Sequence, residues 1–157
     1  MKTDSEKPVD KRSAVSLREV NKDNFWDVID LSVSEEQKQF VATNSVSIAE
    51  AHFWTHAWFR AIYADETVVG FLMLADSPEI PEYYLWRFMI DSRYQKLGFG
   101  HEAIQRLIDH VKTRPKATEL STSVVQAEGG PQKFYEKLGF RLTGDHEDGE
   151  AVMKLIF

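Results

Sequence analysis

The chain has 157 residues, 43% of them hydrophobic and 28% charged, the length of one domain with enough apolar material for one core. It has no cysteine, which excludes disulfides, thiolate nucleophiles and cysteine-based zinc sites. A formal net charge of -6 argues against nucleic acid as a partner, because phosphate binding needs a basic surface; it either favours a cationic ligand or simply keeps the chain soluble. No apolar run approaches the roughly 20 residues of a membrane span, and Met1 to Arg12 lacks the apolar stretch of a secretory signal, so no membrane partner and a cytoplasmic location are expected.

Residues 1–14 are polar and charged and are expected to form a disordered tail, leaving 15–157 as the single folded domain. Val15 to Val20 alternates apolar and polar residues, as a first strand would. Asn21 to Asn24 offers turn and capping residues, after which Phe25, Val28, Ile29 and Leu31 mark one face of a helix. Ser34 is placed to cap a short second helix holding Glu35, Glu36, Gln37 and Phe40. Ser47 opens another, with Glu50 three residues on completing a capping-box pattern. The aromatic-rich stretch from Phe53 to Tyr63 turns into a strand near Trp58. Ala64-Asp65-Glu66-Thr67 reads as a hairpin turn, Val68 to Leu74 as a buried strand, and Asp76 to Pro81 as a break.

Tyr83 to Ile90, rich in aromatic and branched residues, reads as a central strand. Beyond the polar stretch Ser92 to Phe99, a helix runs from Gly100 to about Lys112 with Ala103, Ile104, Leu107, Ile108 and Val111 on one face. Ala117 to Val125 is another strand. Gly129-Gly130-Pro131 opens the last helix, which ends at Gly139. Phe140 to Thr143 and Glu150 to Ile156 are strands joined through Asp148-Gly149, a strong hairpin signal. This order predicts one α/β (α+β) sheet with helices on both faces.

The segment richest in chemistry runs from Phe88 to Gly100. A strand ends at Asp91, and a loop then supplies Arg93, Gln95 and Lys96. Gly98 and Gly100 let the backbone approach a ligand closely, and the helix that follows aims its free N–H groups and positive dipole end at the same loop, which suits an anionic phosphate. Gly-x-Gly before a helix also occurs in plain turns. The third glycine of a dinucleotide fingerprint is replaced by Ala103, and no Gly-Lys-Ser/Thr of a nucleotide-binding loop is present.

Taken whole, Gln95-x-x-Gly98-x-Gly100, preceded by an apolar strand ending in Asp and followed by an amphipathic helix, resembles the pyrophosphate-binding motif of the GNAT superfamily of N-acetyltransferases. Phe134-Tyr135-Glu-Lys-Leu-Gly139-Phe140 resembles that family's second hallmark, in the right order and at the right separation. The resemblance covers about residues 16–157. Within the superfamily the chain looks most like bacterial diamine and polyamine (spermidine/spermine) acetyltransferases, through Val33-Ser34-x-x-Gln37-x-x-Phe40-Val41 and Ser47-Ile48-x-Glu50-Ala51.

The resemblance implies a mixed, mostly antiparallel central sheet of six to seven strands, splayed where acetyl-CoA binds. Backbone groups of Phe88, Met89 and Ile90 would hold the pantetheine arm. Amides of Gln95, Lys96, Leu97, Gly98, Phe99 and Gly100 would hold the pyrophosphate, with Arg93 or Lys96 adding charge. A primary amine of a small molecule would attack the thioester directly in a ternary complex, and Tyr135, against the cofactor, would protonate the leaving thiolate; without the family context, packing beside Phe134 would be the better account of Tyr135. Some polyamine acetyltransferases carry an acidic residue just before the position of Arg87. Trp86 stands there, so Glu82 is the substitute candidate for the base, against the reading of a solvated rim carboxylate. Glu35, Glu36, Glu50 and Trp86 are candidates for acceptor contacts, the glutamates against ordinary exposed helix charge. Glu128 takes the place of the family's usual Asn. A homodimer is common among GNAT relatives. The acceptor alternatives are an aminoglycoside-like antibiotic, an amino acid or a protein amine, and a non-catalytic acyl-CoA-binding module is the reading from another class.

His52 and His56 have a spacing that can bind zinc, but Phe53 stands where a zinc protease needs Glu, and no metal is expected. Phe53, Trp54, Trp58 and Phe59 form an aromatic cluster that either packs in the core or lines an acceptor pocket or dimer face.

Overall fold

The computed structural model describes residues 7–157. Seven strands form one sheet: β1 (Val15–Arg18), β2 (Ala57–Ala64), β3 (Thr67–Ser77), β4 (Glu82–Ile90), β5 (Glu119–Val124), β6 (Arg141–Glu147) and β7 (Glu150–Ile156), in the order β1-β2-β3-β4-β5-β7-β6. Every neighbouring pair is antiparallel except β4 and β5. Among the described residues there are four α-helices, α1 (Phe25–Ile29), α2 (Asn44–Phe53), α3 (Phe99–Lys112) and α4 (Gln132–Lys137).

Strand alternation sorts the core into two layers. On one face Ile62, Leu72, Leu74 and Leu85 meet Phe99, Ala103, Ile104, Leu107 and Val111 of α3, with Tyr135 of α4. On the other, Ala61, Phe71, Met73 and Met89 meet Val28 and Leu31. The same alternation divides the aromatic cluster. Trp58 stacks on His110 of α3 with centroids 4.1 Å apart, Phe59 lies 6.0 Å from Phe71 on the opposite face, and Phe53 and Trp54 at the end of α2 are 78% and 60% exposed. Gly70 allows the tight β3–β4 pairing, because a Cβ there would sit 2.5 Å from the Met89 carbonyl oxygen.

Several local expectations change. Thr43, not Ser47, caps α2, its Oγ1 accepting from the Val46 N–H at 3.4 Å; Ser47 is buried one turn in and donates to the Thr43 carbonyl at 3.2 Å. The Glu35–Gln37 segment is one 3-10 turn, with the Ser34 N–H donating to Gln37 Oε1. His52 lies within α2, but His56 falls in the turn before β2, so they share no helix face. β3 runs on through Asp76 and Ser77, where pairing with Tyr83 and Glu82 outweighs local polarity. Of the expected tail, residues 1–6 lie outside the described residues, while part of 7–14 contacts the domain. Val9 packs on the core, and Ala14 and Asp65 exchange hydrogen bonds of 3.0 and 2.8 Å.

Candidate active site

β4 and β5 pair in parallel only at Tyr84 with Ser121 and Leu85 with Thr122. Beyond Leu85 the two strands part. Thr122 Oγ1 donates to the Leu85 carbonyl at 3.0 Å and closes the vertex of the opening. A β-bulge coincides with it, since Leu74 pairs with Leu85 and Met73 with Arg87, leaving Trp86 as the extra residue. Phe88, Met89 and Ile90 pair with Leu72, Phe71 and Gly70 of β3 on one edge and with no strand on the other. The resulting cleft has a volume of about 1160 Å³ and is lined by Phe88 to Ile90, the loop from Gln95 to Gly100 except Leu97, Tyr135 and the β6–β7 hairpin.

The loop is built to leave backbone donors free. Lys96 and Gly98 both take positive φ, 64° and 87°, so the chain bends sharply just before α3. Gly98 caps α3 without a side-chain bond, and the first α3 amide with a protein acceptor is that of Glu102, to Gly98 at 3.2 Å. A Cβ on Gly98 would meet nothing within 4 Å, so the space above it is open, whereas one on Gly100 would press on the Phe88 and Phe134 rings at 3.3 Å. Those rings stack on each other at 5.6 Å. Unpaired amides, a helix N-terminus and the lining cations Lys96 and Lys137 fit a diphosphate.

Side chains of the loop brace it. Gln95 Nε2 donates to the Ile90 carbonyl at 2.9 Å and to Gln37 Oε1 at 2.8 Å, and Gln37 returns a bond of 3.2 Å. The Arg93 guanidinium, 65% exposed, grips Asp91 at 2.8 Å and lies outside the cleft. Asp91 is buried and also accepts from the amides of Ser32 at 2.9 Å and Arg93 at 3.0 Å. Burial pushes its carboxyl up, but the Arg93 side chain and the two amides outweigh it and hold it below the usual carboxylate range. A depressed folded pKa adds stability above the ordinary carboxylate value, and that increment disappears as pH falls through the folded value. Asp91→Asn is therefore expected to cost about 2 kcal/mol at neutral pH, the gap to wild type closing below about pH 4; urea unfolding across pH measures it.

Tyr135 sits in α4 with its ring 5.2 Å from Phe134 and 5.4 Å from Phe140, so it packs in the core and lines the cleft at once. Burial raises its phenol well above the ordinary value, the Thr122 side chain opposing this in part. Across the vertex, the Tyr84 hydroxyl hydrogen-bonds Ser123 Oγ, which donates to Glu150 Oε2 at 3.1 Å. Glu147, Asp148 and Glu150 border this end of the cleft, carried there by the Asp148-Gly149 turn, whose residues both take positive φ, 49° and 81°.

Other expected site residues lie elsewhere. Glu82 opens β4, exposed and outside the cleft. Glu35 pairs with Lys38, Glu36 is exposed, and the Glu50 carboxylate is taken by Arg87 at 3.3 Å, so none of these glutamates lines the cleft. Trp86 does line it, with Arg87 Cζ 5.3 Å from its ring. Glu128 is exposed, while Gly129 to Pro131 form part of the wall. Tyr84, Thr122 and Ser123 had no local signal, because they meet only through the β4–β5 pairing. The hairpin carboxylates were legible as a turn but not as a wall.

A sheet parted between two parallel strands, with an amide cradle at one end of the gap, defines an acyl-CoA-dependent N-acetyltransferase. The chain belongs to the acetyltransferase (GNAT) family, which it matches over residues 17–140, and enzymes of this family use acetyl-CoA. It is 28% identical over 147 residues to the spermine/spermidine N(1)-acetyltransferase of Bacillus subtilis (strain 168), covering 89% of this chain and 97% of that one. Its fold matches the PaiA N-acetyltransferase of Thermoplasma acidophilum in complex with coenzyme A (TM-score 0.67, 17% identity, 92% of this chain and 99% of that one). It also matches Arabidopsis thaliana Naa50 in complex with the bisubstrate analogue CoA-Ac-MVNAL (TM-score 0.66, 20% identity, 91% and 99%). Among the described residues, no group of three or more His, Cys, Asp or Glu could hold a metal ion, and no helix is long and apolar enough to cross a membrane.

Proposed function

We propose that the chain acetylates a primary amine of a diamine or polyamine by direct attack in a ternary complex. The carrying observation is the charge lining the cleft, with Lys96 in the glycine loop, Lys137 on α4 and Glu147, Asp148 and Glu150 on the β6–β7 hairpin, while the lining cations Lys38 and Arg87 are paired with Glu35 and Glu50. Acetyl-CoA, when bound, supplies the thioester carbonyl. The amides from Gln95 to Gly100 hold its diphosphate, and the unpaired edge of Phe88, Met89 and Ile90 receives its pantetheine arm. Tyr135 donates a proton to the departing sulfur. The hairpin carboxylates hold the cationic tail of the acceptor while its terminal nitrogen reaches the vertex. The likeness to the Bacillus spermine/spermidine enzyme supports the same acceptor class.

The test is thiol release from acetyl-CoA with spermidine, a simple monoamine, an amino acid, an aminoglycoside and a peptide N-terminus. Spermidine is expected to lead. Glu147→Gln combined with Asp148→Asn is expected to raise KM for spermidine about tenfold, near 1.4 kcal/mol, while leaving kcat and the monoamine KM within about twofold. Added salt should reproduce part of that rise. Release with the other amines and none with spermidine would move the acceptor to another class.

A further inference from the structure

We propose that Tyr84 takes the proton from the attacking amine and passes it through Ser123 to Glu150. The inference rests on amine acetylation in this cleft, and on no particular amine. At neutral pH the acceptor is an ammonium ion without a lone pair, so a proton must leave before the N–C bond forms. Trp86, the bulge residue of β4, lines the cleft but its side chain holds no base. Glu82, Glu35 and Glu36 lie outside the cleft, and Glu50 is held by Arg87 at 3.3 Å.

What the vertex holds instead is a chain of hydroxyls ending in a carboxylate. Tyr84 on β4, Ser123 on β5 and Glu150 on β7 all line the cleft. Tyr84 bonds Ser123, and Ser123 donates to Glu150 Oε2 at 3.1 Å. Because the Ser123 proton points to Glu150, Ser123 Oγ accepts from Tyr84, which leaves the phenol oxygen with a free lone pair. Burial and the surrounding charges act together on the Tyr84 phenol. Burial acts first and raises its pKa, Ser123 lowers it, Glu147 on β6 and Glu150 raise it, and Arg87 lowers it. The phenol is thus held neutral in a field that attracts an ammonium ion. Tyr135 on α4 lines the same cleft as Tyr84, and the two phenols take opposite roles there.

The protons balance. One amine proton moves to the Tyr84 oxygen as the Tyr84 proton moves to Ser123 and the Ser123 proton to the Glu150 carboxylate. The freed nitrogen pair forms the N–C bond, the nitrogen gives up its second proton to water, the C–S bond breaks, and the sulfur takes the Tyr135 proton. Glu150, at the mouth, gives its proton to water, and Tyr135 recovers one from water. Tyr84 is the catalytic residue; Ser123 and Glu150 act through it.

Tyr84→Phe and Glu150→Gln are each assayed with whichever panel amine the wild type uses best. Each is expected to lower kcat/KM about 100-fold near pH 7 with coenzyme A affinity unchanged. The decisive readout is the pH profile: the variants should rise about tenfold per pH unit toward the amine pKa near 10, while wild type levels off. A deficit constant across pH, or no deficit, overturns the relay. In crystals of the wild type with coenzyme A and the amine, the acceptor nitrogen should lie within about 3.2 Å of the Tyr84 oxygen; a nitrogen bonded elsewhere overturns it independently. Failure of spermidine alone removes the polyamine reading and leaves the relay to be judged on the reactive amine. A chain that acetylates no amine overturns both.

Discussion

Tyr135→Phe is expected to lower kcat by about 10²- to 10⁴-fold while the dissociation constant for coenzyme A stays within about threefold. The reason is the balance of two acidities. In water a phenol near 10 and a thiol near 8.5 make full proton transfer to a thiolate uphill by about 2 kcal/mol. In the cleft both groups are removed from water, and burial raises the Tyr135 phenol further. It therefore remains protonated throughout the working pH range, and its contribution is a hydrogen bond that strengthens as charge builds on sulfur. Phenylalanine keeps the ring contacts with Phe134 and Phe140, so the fold is retained and only the donor is lost. Stopped-flow thiol release separates chemistry from binding. A variant with wild-type turnover would reduce Tyr135 to a packing residue.

Gly98→Val is expected to weaken coenzyme A binding at least 100-fold and to lower stability by about 1–3 kcal/mol. The stability loss follows from a β-branched side chain forced to φ 87°. The binding loss has a separate origin. The space beside Gly98 Cα is free of protein atoms, so valine meets no neighbour in the protein and instead occupies the room a diphosphate needs. Calorimetric titration with coenzyme A gives the affinity, and thermal unfolding gives the stability. Loss of stability with full affinity would show that this bend is a turn and no cradle.

How much of this could be read from the chain depends on the range of the forces involved. The helix face Ala103, Ile104, Leu107, Ile108 and Val111 was legible because a 3.6-residue period is local, and all five are buried. The Asp148-Gly149 turn was legible for the same reason. The α2 cap was misplaced because Thr43, Ser45 and Ser47 all suit a cap, and only burial of Ser47 against the sheet selects among them. The aromatic cluster was legible as a cluster and not as two faces, since neighbouring strand residues point apart while sequence shows only their proximity.

The site divides in the same way. The sequence by itself determined the bend before α3, because Gln95-x-x-Gly98-x-Gly100 joins glycine freedom to a helix start within six residues. It also determined the place of Tyr135 next to Phe134. Tertiary structure alone decided which charges face the cleft. It turned Arg93 onto Asp91, took Glu50 onto Arg87, and brought Tyr84, Ser123 and Glu150 together from three strands. The physical reason is that backbone conformation follows from adjacent residues, whereas the partner of a charged or hydroxyl side chain is whatever the sheet pairing sets beside it.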